Sequence, residues 1–248
     1  MSRIFLISIL FASFFSSLQA VEQPKTIVFS FGSHNGAPYT LTNGNNIIGG
    51  IIWDIAHELV DELDVQASFV NIPRKRQARY LEKGETDVIL ISNSMWLSNK
   101  DNLVWSKALF KESNMLVTLA ENPLILNSKH SLYGLNIGTI RGYKYPLIDE
   151  DINQHHITRD DVRELDANLE KLLLARVDAF IDSSILINYR LSKREDAGRF
   201  RVAPLIISTH QIYAAISPKS SVAPQKIVTA LEKLKNNGVI EAILHKYE

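Results

Sequence analysis

The chain has 248 residues, 27 Lys plus Arg against 27 Asp plus Glu, and no cysteine. At 46% hydrophobic and 22% charged residues it has ordinary globular usage. This excludes a disordered chain, a disulfide-stapled mini-protein, a strongly basic nucleic-acid binder and any site built on Cys ligands.

Residues 1–20 read MSRIFLISILFASFFSSLQA. Arg3 supplies a short positive region, an apolar run follows, and Ala20 is a small residue at the expected cleavage point. This is the layout of a secretory signal peptide. The apolar run, about 12 residues, is short of the roughly 20 that span a bilayer. The absence of Cys at the cleavage point argues against a lipid anchor, so the mature chain is expected to be soluble and exported. Without Arg3, 26 basic residues face 27 acidic ones. Such a surface has no natural affinity for nucleic acid or an anionic membrane.

Residues 26–31 (TIVFSF) are β-branched and aromatic and read as a strand. Ala37-Pro38-Tyr39 follows a glycine break, and Asn43-Gly44-Asn45-Asn46 is turn chemistry. Residues 52–63 form a helix with Ile52, Ile55, Ala56, Leu59, Val60 and Leu63 on one face. Alternation over 65–69 predicts a strand. Pro73 opens a basic helix over 74–83, Gly84 closes it, and 88–91 is a buried-type strand. The order β, α, β, α, β argues for an α/β domain with a mostly parallel sheet.

A second unit begins after residue 113. Residues 135–140 are a strand leading into Arg141-Gly142-Tyr143, 168–176 a helix with Asp166 as its cap, 177–181 a strand and 184–191 a helix. Residues 201–205 and 211–216 read as two extended segments. Helices over 224–237 and 239–245 are divided by Gly238. There is no repeat and no low-complexity linker, so two α/β units hinged by crossing strands are expected.

The phosphate-binding loop, the dinucleotide fingerprint, the H-E-x-x-H zinc motif and the G-x-S-x-G elbow are all absent. His155-His156 are neighbours that point apart in a strand, and a solvated loop suits them better than a metal. No cofactor is called for, and no acid–base pair stands at a recognisable catalytic spacing.

Several short segments occur in a telling order. They are Ala37-Pro38-Tyr39, Gly49-Gly50 into Trp53-Asp54-Ile55-Ala56, and Leu81-Glu82-Lys83-Gly84-Glu85-Thr86-Asp87-Val88. Then come Ser92 and Ser94, Trp105-Ser106 with Leu109-Phe110, Ile137-Gly138 with Gly142, and Arg176-Val177-Asp178-Ala179 with Asp182. The series resembles the family 3 extracellular solute-binding proteins, the periplasmic receptors of polar amino-acid ABC transporters. The resemblance implies an α/β, two-lobed periplasmic-binding-protein fold (type II) with a ligand cleft between the lobes. Lobe 1 would comprise 21–112 plus 209–248, and lobe 2 would comprise 113–208. Ligand would close the lobes by a hinge motion.

Matching the family's motifs makes Asp182 the candidate for a ligand ammonium, although Asp there also suits the cap of the next helix. Ser92 and Ser94 match ligand-facing hydroxyls. The family's carboxylate-binding arginine falls at Asn99, or at Lys100 with a one-residue slip, and neither offers a bidentate fork. Ser33, Gly36 and Gly50-Ile51-Ile52 also depart from the pattern, which puts a standard α-amino-acid site in question. Two arginines are candidates to compensate. Arg141, in G-T-I-R-G-Y, resembles a G-x-x-R-G-Y turn of divergent members and lies at a strand end, where α/β sheets bind ligands. Arg76, in Pro73-Arg74-Lys75-Arg76, resembles their P-W-x-R pattern. Tyr143, Trp96 and Tyr39 are candidate aromatic walls. The expected partners are a small polar or carboxylate-bearing ligand and a membrane permease or a membrane sensor, with the chain itself a monomer. A dehydratase-type enzyme on the same fold is the alternative from another class.

Overall fold

The computed structural model describes residues 24–247. The signal-peptide reading of residues 1–20 lies outside them. The first half opens with β1 (Thr26–Phe31), and a hairpin of β2 (Leu41–Asn43) and β3 (Asn46–Gly49) follows. Gly44 takes the positive φ of 60° that this tight turn needs. Helix α1 (Ile51–Leu63) buries Ile51, Ile52, Ile55, Ala56, Leu59 and Val60, the apolar stripe of an amphipathic helix. Then come β4 (Gln66–Asn71), α2 (Arg74–Lys83), β5 (Val88–Ser92) and β6 (Val104–Trp105). Pro73 precedes α2, and Gly84 ends it in the left-handed conformation.

Strand β7 (Phe110–Leu119) leads out of this half. The second half contains β8 (Asn136–Ile140), α3 (Asp149–Asn153), β9 (Thr158–Val162), α4 (Leu165–Leu173), β10 (Ala179–Ser183) and α5 (Ser184–Ser192). Strand β11 (Phe200–Ile216) returns to the first half, which α6 (Pro224–Asn236) and α7 (Val239–His245) complete.

The two halves share one plan. In the first, β4, β1 and β5 are parallel and β11 runs antiparallel beside β5. In the second, β9, β8 and β10 are parallel and β7 runs antiparallel beside β10. Strands β7 and β11 pair with each other from Phe200↔Leu119 to Ile212↔Phe110, so two long crossing strands join the halves. The residues predicted as two extended segments are thus one strand, interrupted by register shifts between Val202 and Ile206 and between Ile206 and Ser208.

An aspartate clasp recurs in both halves. Asp87 donates its N–H to the Val28 carbonyl at 2.8 Å, and its Oδ2 accepts the Val28 N–H at 2.8 Å. Asp178 does the same to Asn136, at 2.9 and 2.8 Å. Each aspartate pins the start of a third strand to the first strand of its half. That role accounts for the aspartates in two of the sequence motifs.

Each half has its own core. Ile27, Phe29, Ile55, Leu59, Ile216, Ile227 and Leu231 fill the first. In the second, alternation along β10 sends Ala179 and Ile181 toward Leu116, Ile137 and Tyr145, and Phe180 toward Val117, Leu169 and Ile187. Helix α5 serves both halves: Ile187 enters the second core, while Ile185, Leu186 and Tyr189 pack against the first. Asp166 does not cap α4, whose cap position is Glu164; it lies in the first turn and pairs with Arg190 at 2.7 Å. Among the described residues, no helix is long and apolar enough to cross a membrane.

Candidate ligand-binding cleft

A cleft of about 390 Å³ lies between the halves, at the carboxyl ends of the parallel strands. Each segment that follows such a strand end contributes to it. Asn35 and Tyr39 come from the stretch after β1, Arg74 and Gln77 from the start of α2 after β4, and Ser92 and Trp96 from the end of β5. Across the cleft, Tyr143 follows β8, Asp182 and Ser183 end β10, and Glu112 lies on crossing strand β7.

The acidic wall consists of two buried carboxyls. Glu112 Oε1 accepts hydrogen bonds from the Tyr39 hydroxyl at 2.5 Å and from the Ser183 hydroxyl. Asp182 Oδ1 accepts the Ser183 N–H at 2.8 Å, while Asp182 Oδ2 is buried without a partner. Burial pushes both acids up, and the Glu112 charge adds to the effect on Asp182, which reaches about 7. Asp182 therefore does not cap α5; that position belongs to Ser183.

The basic element opposite is Arg74, the first residue of α2. Its guanidinium lies 5.5 Å from the ring centre of Trp96 and 4.8 Å from that of Tyr143. Aromatic rings from the two halves thus hold one cation between them, an arrangement suited to a planar guanidinium. Arg74 forms no ion pair among the described residues. One helical turn on, Gln77 is on the same face of α2, and its buried Nε2 has no partner. His34 is pushed down to about 4 by burial and by the Arg74 charge, so it is neutral at pH 7.

The turn that presents Tyr143 is braced from β9. Arg159 donates to the carbonyls of Ile140 and Tyr143 at 3.2 and 3.1 Å and to Asp161 at 2.9 Å. Gly142, at φ 82°, reverses the chain there.

Of the residues singled out in the sequence, Tyr39, Ser92, Trp96, Tyr143 and Asp182 line the cleft. Arg141, Arg76, Ser94 and Asn99 do not. Arg141 is exposed and does not line the cleft, and its backbone N–H donates to the Val162 carbonyl at 2.9 Å. Arg76 is exposed: a helix turns about 100° per residue, so positions 74 and 76 face nearly opposite ways. Ser94 sits in the short 3₁₀ turn that carries Trp96, and Asn99 donates to Ala78 and Glu82 on α2. Arg74, Glu112, Gln77 and Ser183 are cleft residues that sequence reading did not select. For Arg74 the signal was present, since it stands where the P-W-x-R pattern has its tryptophan.

Two α/β halves closing on a polar, charged cleft define a two-lobed ligand-binding protein. The sequence pattern of the bacterial extracellular solute-binding proteins, family 3, matches residues 30–248. The chain belongs to that family. No curated protein sequence matches it. Among solved structures, an ancestral arginine-binding protein bound to arginine superposes with a TM-score of 0.72 at 18% identity, covering 90% of this chain and 97% of that one. A mutant of ArgBP from T. maritima gives 0.70 at 18%, covering 90% and 94%. The GluR0 ligand-binding core in complex with L-glutamate gives 0.74 at 13%, covering 92% and 99%. At these identities the likeness shows the fold.

Proposed function

We propose that this protein captures a small, amino-acid-like solute in the periplasm. The observation that carries the reading is a guanidinium without an ion pair among the described residues, Arg74, lining the same cleft as a buried carboxyl with an unpartnered oxygen, Asp182. A ligand carboxylate takes the fork of Arg74, and a ligand ammonium takes Asp182 Oδ2. Ser92 and Gln77 donate to what remains, and Tyr39, Trp96 and Tyr143 enclose it. Arg74 then does the work that the family pattern assigns to the position of Asn99, and it replaces Arg141 and Arg76 in this role. Amino acids occupy the two ligand-bound relatives, arginine in one and L-glutamate in the other.

Family membership gives a solute-binding role outside the cytoplasm. The fuller reading adds a signal peptide cleaved near Ala20 and a monomer with lobe boundaries at 21–112 plus 209–248 and at 113–208. It also adds delivery of the ligand to an ABC-transporter permease, with a membrane sensor as the alternative partner. The test is a thermal-shift panel of amino acids, small carboxylates and polyamines on wild type and Arg74→Met. A ligand that binds only the folded state raises the melting temperature. Zwitterionic amino acids should do so in wild type and fail in Arg74→Met. A wild-type shift that survives in the variant removes Arg74 from the site. Stoichiometric binding with the ligand recovered unchanged is expected, whereas conversion of the ligand would move the protein to the dehydratase-type alternative.

A further inference from the structure

Glu112 is a second acid in the cleft that one ammonium group leaves unused. Both of its hydrogen bonds fall on Oε1, from Tyr39 and Ser183. Oε2 has no hydrogen-bond partner among the described residues, and Glu112 is one of the residues that line the cleft. The residue is 8% exposed and comes from crossing strand β7, beside the β10 end that bears Asp182 and Ser183. Each acid thus has one oxygen anchored by Ser183 and the other free. Among the described residues, no Lys or Arg forms an ion pair with either one.

The charges facing these acids can be listed. Among the described residues that line the cleft, Arg74 is the cation held between its aromatic walls. Lys144 reaches its rim but is exposed, where solvent screens it. His34 and His210 line the cleft with their pKa values pushed down by burial, and Tyr39 and Tyr143 have theirs raised. Among the described residues, two buried acids therefore share the cleft with one half-buried base. A zwitterion with an uncharged side chain satisfies Arg74 and one acid and leaves the other buried beside it. A ligand with two cationic groups and one carboxylate matches all three.

On the basis of the solute-binding reading above, we propose that the cleft is built for a basic amino acid, with Asp182 taking the α-ammonium and Glu112 the side-chain ammonium or guanidinium. The Tyr39 and Ser183 hydroxyls hold the Glu112 carboxyl in place, and its free oxygen meets the incoming cation. Burial raises the pKa of both acids, that of Asp182 to about 7. Arrival of the two cations favours the ionised forms, so a proton held on Asp182 passes to solvent.

Calorimetry with arginine, lysine, citrulline and glutamine on wild type and Glu112→Gln tests this, with melting curves confirming that the variant folds. A hydrogen bond to a charged partner corresponds to roughly 10- to 150-fold in affinity. Wild type should bind arginine or lysine at least about tenfold more tightly than citrulline or glutamine. Glu112→Gln should erase that preference, so that arginine and lysine lose at least about tenfold relative to citrulline and glutamine. Titrations in two buffers of different ionisation enthalpy should show protons released with the basic ligands. Equal wild-type affinity for arginine and citrulline overturns the inference while the solute-binding reading stands. So does a Glu112→Gln variant that weakens basic and neutral ligands alike, which would assign Glu112 to cleft structure. Failure of all four amino acids to bind overturns this inference and counts against the amino-acid reading as well.

Discussion

Asp182→Asn should stabilise the empty protein at high pH and destroy its function. Asp182 is 4% exposed, and its pKa rises from 3.8 to about 7, first through burial and then through the Glu112 charge. A carboxyl raised in the folded state is protonated in both states below 3.8, where its burial carries no ionisation cost. Between 3.8 and about 7 the unfolded chain ionises and the folded one does not, so stability is lost as pH rises through that window. At about 1.4 kcal/mol per pH unit the loss totals ~4 kcal/mol above pH 7. Asn has the same shape and no charge to lose. The assay is urea unfolding of wild type and variant at pH 4 and pH 8, after bound ligand has been stripped by unfolding and refolding. Comparing the two pH values cancels whatever the amide does to local contacts. The variant should gain ~4 kcal/mol relative to wild type on going from pH 4 to pH 8. It should also bind none of the ligands that wild type binds. A stability difference that is the same at both pH values would refute the reasoning, because it would mean that Asp182 ionises normally in its buried position.

Arg74→Lys keeps the charge but loses the planar fork between Trp96 and Tyr143, so ligand affinity should fall ~10- to 100-fold by calorimetry while the melting temperature changes little. Asp178→Ala opens the clasp and leaves the Asn136 N–H without its carboxylate; chemical denaturation should show a loss of ~1–3 kcal/mol. At Gly138 an added Cβ would come within 2.5 Å of Asn168 Oδ1 and 3.0 Å of Phe180 Cβ, so Gly138→Ala should destabilise by ~1–3 kcal/mol in the same assay. Arg159→Ala removes the brace on the turn that presents Tyr143; affinity should drop severalfold with the cleft acids untouched, as read by calorimetry.

Periodic apolar faces made the helices legible: α1, α2, α6 and α7 lie within a residue of where their stripes and breakers put them. Strand β9 (TRDDV) was invisible because it is an edge strand with polar side chains. Asp160 and Asp161 there are paired with Lys171 and Arg159 rather than packed in a core. The single strand β11 read as two because Pro204 and the polar run Ser208-Thr209-His210-Gln211 break its alternation.

In the cleft, residues at strand ends were found because strand ends could be located. The choice of arginine was not legible in the same way. Arg74 and Arg76 differ only in which face of α2 they occupy, and Arg141 and Tyr143 only in which side of a glycine turn. Glu112 gave no signal because its neighbours Tyr39 and Ser183 are far away in sequence, 73 and 71 residues.

The most direct test of the account is a crystal structure of the protein carrying the amino acid that calorimetry selects. The account predicts ligand between the halves, its carboxylate on the Arg74 guanidinium and its ammonium on Asp182 Oδ2. A ligand whose carboxylate lies on Arg141 or Arg76, or one bound outside this cleft, would contradict it.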